Sequence, residues 1–542
     1  MANPVFKRVG HARALALSGT ALALAACSFG PNGNPPALPQ PAHYGIEPQV
    51  TETVPAQGVT QQFVVGAQPV PTWWHLYQSD DLNALVDEGL RNSPTLAATD
   101  KSLTAAREQL HAQIGSSMLP TIDANGQAAR QRALAIPEAG PNTFLYNTFV
   151  GQLQAQYTID LFGASRLANA ALASRVNVQV FQLESARRAL AANIVTAAIT
   201  SAALHAQIDT TERLVTLAND DARDMARRYT LGAVSHADML NAQQNAASLS
   251  ASLPGLKQQW TTTRHALAVL LGRTPDAAPT DLDLAQLHVP EQVPVVVPSE
   301  LLRARPDIRA ADAALKAAAA DVGVATARMY PSLSLTASMG QGGFSWPAAI
   351  SGAGAIWAVA GSLSQPIFHG GALFAQRRAA LATYDATTEQ YKQTVLSAFQ
   401  NVADTLAALE HDAQALDAAN VAARAAHGIS DETAARYRLG AVPVSAARSS
   451  EQQFRNAQLD EIRLAGARLT DTAALFQAMG TPPVDEASAS ATKGTAGTVG
   501  AAGSPGDSGT EGTAGSTSAQ GAPAAAASMP ISTSKSEGTA PG

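Results

Sequence analysis

Arg228-Tyr229-Thr230-Leu231-Gly232-Ala233-Val234 returns 208 residues later as Arg436-Tyr437-Arg438-Leu439-Gly440-Ala441-Val442. The same offset carries Gly163 onto Gly371 and Leu267…Leu271-Gly272 onto Leu475…Met479-Gly480. Nearer the front, Leu119-Pro120-Thr121-Ile122 matches Tyr330-Pro331-Ser332-Leu333, and Ser93-Pro94-Thr95-Leu96 matches Arg305-Pro306-Asp307-Ile308, at offsets of 211 and 212. The body is therefore two copies of one architecture, with a few residues gained or lost in the front hairpin.

Residues 164–231 contain neither Gly nor Pro, and 372–439 contain only Gly428. At about 1.5 Å per residue, each stretch makes a helical rod of about 100 Å. Val176, Val180, Leu183, Leu190, Ile194, Ala197, Leu204, Ile208 and Val215 recur in steps of four and three, interrupted at Arg187, Ser201 and Thr211. That spacing predicts a coiled-coil seam with an Ala-rich flank. Each Leu-Gly-Ala-Val then breaks the rod, and a second helix follows over about 236–271 and 444–479, so each half should carry an antiparallel helical hairpin.

Two strand-like segments precede each rod. In Leu145–Leu161 the odd positions Phe149, Leu153, Ala155, Tyr157 and Ile159 are apolar, while Thr148, Gln152, Gln154, Gln156, Thr158 and Asp160 are polar. Ser332–Gln341 alternates likewise, with Leu333, Leu335, Ala337 and Met339 against Ser332, Ser334, Thr336 and Ser338. A period of two marks strands with one apolar face. Residues 329–368 carry no charged side chain, but their Gly and Pro content makes a spanning helix poor. Two strands of about ten residues, the length of a membrane-barrel strand, fit better. Phe144, Tyr146, Tyr157, Phe344, Trp346 and Trp357 are candidates for an aromatic girdle or for ordinary core.

Two strands per half give four per chain, and membrane barrels begin at about eight. An open edge in lipid leaves backbone groups unpaired. Several copies must share the barrel; three would give twelve strands above twelve helical positions. The expected fold is thus a mixed α/β membrane protein, a long coiled-coil helical tunnel joined to a transmembrane β-barrel shared between protomers.

Composition and chain ends narrow the function. The 542 residues are 46% hydrophobic, 15% charged and 5% aromatic, with one cysteine and a formal charge of −7. One cysteine excludes a disulfide framework and Cys-based metal clusters. An acidic balance argues against nucleic acid as partner. Lys7, Arg8 and Arg13 precede an apolar run from Ala14 to Ala26, too short to span a bilayer and suited to an export signal over residues 1–26. Leu24-Ala25-Ala26-Cys27 resembles a bacterial lipobox, which implies acylation at Cys27 and, with Ser28 following, the outer membrane. Residues 27–71 are Pro-rich and read as an extended leader; 72–272 is the first repeat, 273–297 a linker and 298–480 the second repeat. Residues 481–542, rich in Gly, Ala, Ser and Thr, cannot bury enough apolar area to offset ordering and read as a disordered tail.

Several motifs together resemble the outer-membrane efflux protein family, the TolC-like channels, and specifically its NodT-type lipoprotein branch. They are Trp73-Trp74-His75-Leu76-Tyr77-Gln78-Ser79-Asp80-Asp81-Leu82, Asn92-Ser93-Pro94, Asp160-Leu161-Phe162-Gly163, Leu267-Ala268-Val269-Leu270-Leu271-Gly272 and both Leu-Gly-Ala-Val turns. The most specific is Pro298-Ser299-Glu300-Leu301-Leu302-Arg303-Ala304-Arg305-Pro306-Asp307-Ile308-Arg309. The resemblance covers about 72–480. It implies a homotrimer with a 12-stranded barrel in outer-membrane lipid, a tunnel across the periplasm, and two partners: a periplasmic membrane-fusion adaptor and an inner-membrane efflux transporter. It also implies that Arg228, Leu231, Gly232, Ala233, Val234 and Ser235, with Arg436, Leu439, Gly440, Ala441 and Val442, form the periplasmic tip where the adaptor docks. Many relatives carry an acidic residue just after the second turn; Val442-Pro443-Val444 stands here. Asp238, Asp431 and Glu432 are weak substitutes as aperture residues.

Neither an enzyme nor a metal relay is signalled. There is no Gly-x-Ser-x-Gly, no phosphate-cradling Gly-Lys-Ser/Thr loop and no His-Glu-x-x-His, and the eight Met and eleven His are scattered. No cofactor is expected. A duct for protein secretion and a lipid-anchored coiled coil without a pore remain alternatives to an exit duct for drugs or small toxic compounds.

Overall fold

The computed structural model describes residues 30–38, 41, 43–46, 50–67, 70–134 and 143–480. The export signal, Cys27, residues 135–142 and residues 481–542 lie outside the described residues.

Two rods dominate: α3 (Ala164–Thr230) and α8 (Ala372–Arg438), each of 67 residues and hence about 100 Å long. Gly163 and Gly371 open them in left-handed conformation, with φ of 81° and 80°. Each rod folds back on a second helix, α4 (His236–Leu270) and α9 (Val444–Met479). Ahead of the rods stand α1 (Asp80–Asn92) with α2 (Pro94–Met118), and α5 (Pro298–Ala304) with α6 (Pro306–Ala327). Near the strands α3 packs between α2 and α6, and α6 also meets α8; further away α3 packs between α4 and α9, and α9 meets α8. Four helical positions are thus kept along the whole body, the short helices of each repeat lying end to end beside continuous rods.

The joints between short helices show why the sequence needs its glycines there. Gly272 follows α4 at φ 76°, and a Cβ there would lie 2.6 Å from the Asn92 carbonyl oxygen at the end of α1. Gly480 follows α9 at φ 68°, with the Ala304 carbonyl oxygen 2.9 Å from its would-be Cβ. Both positions combine a left-handed backbone with a close approach, which only Gly accommodates without strain. Side chains lock each joint: Arg273 donates two 2.6 Å hydrogen bonds to Glu88, and Arg305 donates to the Ala478 carbonyl at 2.6 Å.

The buried stripe of α3 is wider than the predicted seam. Leu183, Leu190, Ile194 and Ile208 are buried as expected, but so are Ala191, Ala192, Val195, Ala198, Ile199, Ala202, Ala203 and Leu214. Ser201 and Thr211, read as interruptions, are buried too. In the middle of its length α3 has helices on more than one side, so a single a/d stripe understates what it covers. Alanine permits this by letting neighbouring axes approach closely.

The body's first and last elements clasp one another. Trp73, in a 3-10 turn spanning Trp73–Tyr77, stacks on Phe476 of α9 at 5.2 Å, and the Tyr77 hydroxyl donates to the Leu469 carbonyl at 2.8 Å. Part of the Pro-rich leader is docked rather than free. Gln62–Val65 (β1) pairs in parallel with Gln292–Val295 (β4) of the linker. Arg468 of α9, 1% exposed, reaches Gln61 at 3.0 Å and the carbonyls of Ala56 and Val59 at 3.2 and 3.1 Å. Sequence reading gave no strand at either place, because four residues are too few to show a period.

Candidate functional site

At one end of the rods lies a four-stranded antiparallel sheet in the order β2-β3-β5-β6, formed by Thr121–Leu134, Thr143–Ile159, Ser332–Gly343 and Ala355–Ser364. A short helix, α7 (Trp346–Ile350), lies in the β5–β6 connection. The sheet is open, with β2 and β6 as its edges. β2 had escaped the periodicity reading because small residues and arginines blur its alternation.

Register sorts the sheet into two chemically distinct faces. Thr121 pairs with Gln156, Gln156 with Thr336 and Thr336 with Ala360; Asp123, Gln154, Ser338 and Ala358 form the next such row. On the other face, Ala124, Leu153, Met339 and Trp357 align, as do Ile159, Leu333 and Leu363. Paired residues point to the same side and alternate along the strand. From the rod end up to the Phe149 row, one face is therefore mostly short and polar, with Asp123 as its one charge, and the other is apolar. Leu153, Leu335, Met339, Trp357, Val359 and Leu363 of that apolar face are exposed in the single chain, with Trp357 at 79%.

The aromatic residues divide between the faces. Tyr157 and Trp357 lie on the apolar side, and Trp346 joins them there through an edge contact with Phe149 at 5.9 Å. Phe144 and Tyr146 fall on the opposite side by register, stacked on each other at 5.1 Å, with Phe344 edge-on to Tyr146 at 5.8 Å. The six girdle candidates are thus split between the two faces of the sheet. Strand alternation, not aromaticity, assigns the face.

At the opposite end stand the two Leu-Gly-Ala-Val turns. Gly232 and Gly440 take φ of 71° and 74°, which lets the chain reverse while its amides bond backward. Ala233 N–H donates to the Arg228 carbonyl at 2.8 Å, and Ala441 N–H donates to that of Arg436 at 2.9 Å. This double closure is a Schellman-type helix end. It leaves Leu231 and Leu439 at 82% and 85% exposure, two large apolar side chains facing out beside Tyr229 and Tyr437.

The candidate aperture carboxylates all have local partners. Asp238 completes a capping box: its carboxylate accepts from the Ser235 amide at 3.2 Å while the Asp238 amide donates to Ser235 Oγ at 3.1 Å. Asp431 faces His427 at 3.0 Å, and Glu432 pairs with Arg436. The second turn has Pro443 as its cap residue and no side-chain cap bond. Sequence reading missed the cross-repeat contact above the tip: Arg448 of α9 lies 3.3 Å from Asp224 and 3.9 Å from Asp221 of α3. The acidic pair and the arginine are distant in sequence, and only packing of α9 on α3 joins them.

Known proteins resemble this chain in sequence and in fold. The model of a family described as outer membrane efflux protein matches residues 85–273 and 297–481. The chain belongs to that family. It is similar to the pyoverdine export outer membrane protein OpmQ of Pseudomonas putida, 28% identical over 478 residues that cover 86% of this chain and 97% of that one. It is also 30% identical to outer membrane protein OprJ of Pseudomonas aeruginosa over 397 residues, 72% and 79% of the two chains. The solved CmeC outer membrane channel of Campylobacter jejuni matches in fold with a TM-score of 0.73 at 21% identity, over 86% of this chain and 98% of that one. As an outer-membrane efflux protein, this chain belongs to the outer membrane, with its helical body on the periplasmic side.

Proposed function

We propose that three copies close one 12-stranded barrel in the outer membrane, and that the twelve helical positions below it enclose a passive exit duct. The supporting observation is the sheet itself: four strands, two open edges, a polar face and an apolar face in strict register. Open edges are intolerable in lipid. Pairing β6 of one copy with β2 of the next removes them, and the faces then divide into a wet lumen and a lipid-facing exterior.

In this reading the duct receives cargo from an inner-membrane efflux transporter through a periplasmic adaptor. The exposed turns around Leu231 and Leu439, with Arg228 and Arg436 beside them, are the adaptor's docking surface, since exposed apolar side chains on a polar body mark interaction sites. Acyl chains on Cys27 would anchor the leader to the same membrane, each buried methylene contributing about 0.8 kcal/mol. The cargo class is drugs or small toxic compounds, in keeping with the small-molecule export in the relatives' names.

The decisive experiment is single-channel recording of the purified full-length protein in a planar bilayer, with its mass in detergent measured in parallel. A trimer that conducts, with or without adaptor, is the expected result. A monomer, or a trimer that never conducts even with its adaptor, overturns the duct and favours a structural coiled coil.

A further inference from the structure

The described strands of the sheet carry three charged side chains, Asp123, Arg130 and Arg132, all on β2. Register separates them. Asp123 pairs with Gln154 in the polar rows, whereas Arg130 pairs with Asn147 and Arg132 with Leu145. These pairs stand two and four residues beyond the Ala128–Phe149 pair. By strand alternation both arginines therefore share the face of Phe149, Leu153 and Ile159, which is the apolar one.

Height explains how that face tolerates two cations. An arginine on the lipid side of a barrel costs about 2–4 kcal/mol at the bilayer midplane but only about 0–1 near the interfaces. β5 ends at Gly343, level with Phe149, and the Arg130 row is the next row of this face above it. Twelve residues of β5, at about 3.3 Å each and tilted about 45°, rise roughly 25 Å, the height of a barrel's apolar band. The arginines thus stand just above that band. The Phe149–Trp346 contact lies directly beneath them as an interfacial aromatic pair. The rods leave from the other end of the sheet, so this level faces the exterior.

Both arginines are exposed, and among the described residues neither has an acidic partner. Two residues apart on one strand face, their Cα atoms are separated by about 6.6 Å. Two guanidinium groups so placed can converge on one phosphate or on two adjacent ones, each offering a planar fork that suits phosphate oxygens.

We propose that Arg130 and Arg132 form a clamp for phosphate on the headgroup of an anionic lipid in the outer leaflet, a phosphorylated glycolipid being the best fit. This rests on the outer-membrane barrel reading. The clamp sits where apolar strand surface gives way to headgroups, so acyl chains contact the Leu153–Met339–Trp357 row and those below it while phosphate reaches the arginines. Three copies would present three such sites around one barrel.

Native mass spectrometry of the detergent-purified full-length trimer, titrated with bisphosphorylated lipid A, counts bound lipids directly. Up to three retained lipids per trimer are expected for the wild type. Removing the lipid's phosphates should weaken binding at least tenfold, and R130Q/R132Q should weaken binding of the intact lipid as much, while R130K/R132K keeps part of it. Excess inorganic phosphate distinguishes the source: little competition indicates that the acyl chains are read as well, and full competition indicates a free-phosphate site. Equal binding by R130Q/R132Q, or indifference to dephosphorylation, overturns the clamp. Trimer mass and single-channel conductance, read on the same samples, separate that result from failure of the barrel.

Discussion

Arg448 of α9 lies 3.3 Å from Asp224 of α3, tying the second repeat's hairpin to the first repeat's rod about seven residues above the Leu231 turn. Asp221 flanks the same guanidinium at 3.9 Å, and Arg228 shares Asp224 at 3.7 Å. Both partners are about three-quarters buried in side-chain terms. The pair therefore sits on a helix contact that joins the two repeats near the tip end.

Removing that tie should loosen the tip. R448A is expected to weaken the α3–α9 contact by about 1 kcal/mol, since the pair is only partly desolvated, and to raise the time-averaged conductance in planar bilayers. The charge swap R448D/D224R should restore the wild-type value. Unchanged conductance in R448A would show that the pair does not restrict the duct.

Gly272 must accept both a left-handed backbone and the Asn92 carbonyl 2.6 Å from any Cβ. G272A should destabilise the folded protein by about 1–3 kcal/mol. Gly428 is the control: it lies inside α8 with nothing within 4 Å of a would-be Cβ. G428A should gain up to about 1 kcal/mol of helix stability. Thermal melting of the two variants in one detergent checks the opposite signs.

Asp412 of α8 should make stability fall as pH rises. Burial first, and then its contact with Asp471, push its carboxyl up to about 7 from the usual carboxylate range, partly opposed by Arg468 and His411. The folded protein therefore holds a proton that the unfolded chain releases near pH 4. Stability from this group is complete below about pH 4 and is lost as pH rises through about 7. D412N, which stays neutral, should show a smaller drop in melting temperature between pH 5 and pH 8. An identical drop in both proteins would remove Asp412 as its source.

The tip turns should be dispensable for folding and needed for docking. Leu231 and Leu439 bury almost nothing in the single chain, so L231D/L439D should leave the melting temperature and conductance unchanged. Site-specific crosslinking to the periplasmic adaptor should fall at least several-fold. Wild-type crosslinking yields would move the docking surface elsewhere.

Sequence alone determined the repeat, both rods, the turns and the two best-patterned strands, because these are local periodicities that persist for many residues. Long helices announce themselves through what they lack, Gly and Pro, and a strand with one wet face alternates whatever its neighbours do. The Leu-Gly-Ala-Val termini are local too, since one glycine at positive φ suffices to end a helix. Tertiary structure decided the rest. The second burial face of α3, the leader strand on β4, the Arg468 cluster and the Arg448–Asp224 tie all join residues from distant parts of the chain, and no period relates them. The placement of Arg130 and Arg132 on the apolar face was equally hidden: β2 hardly alternates, and only pairing with β3 tells which side each of its residues takes.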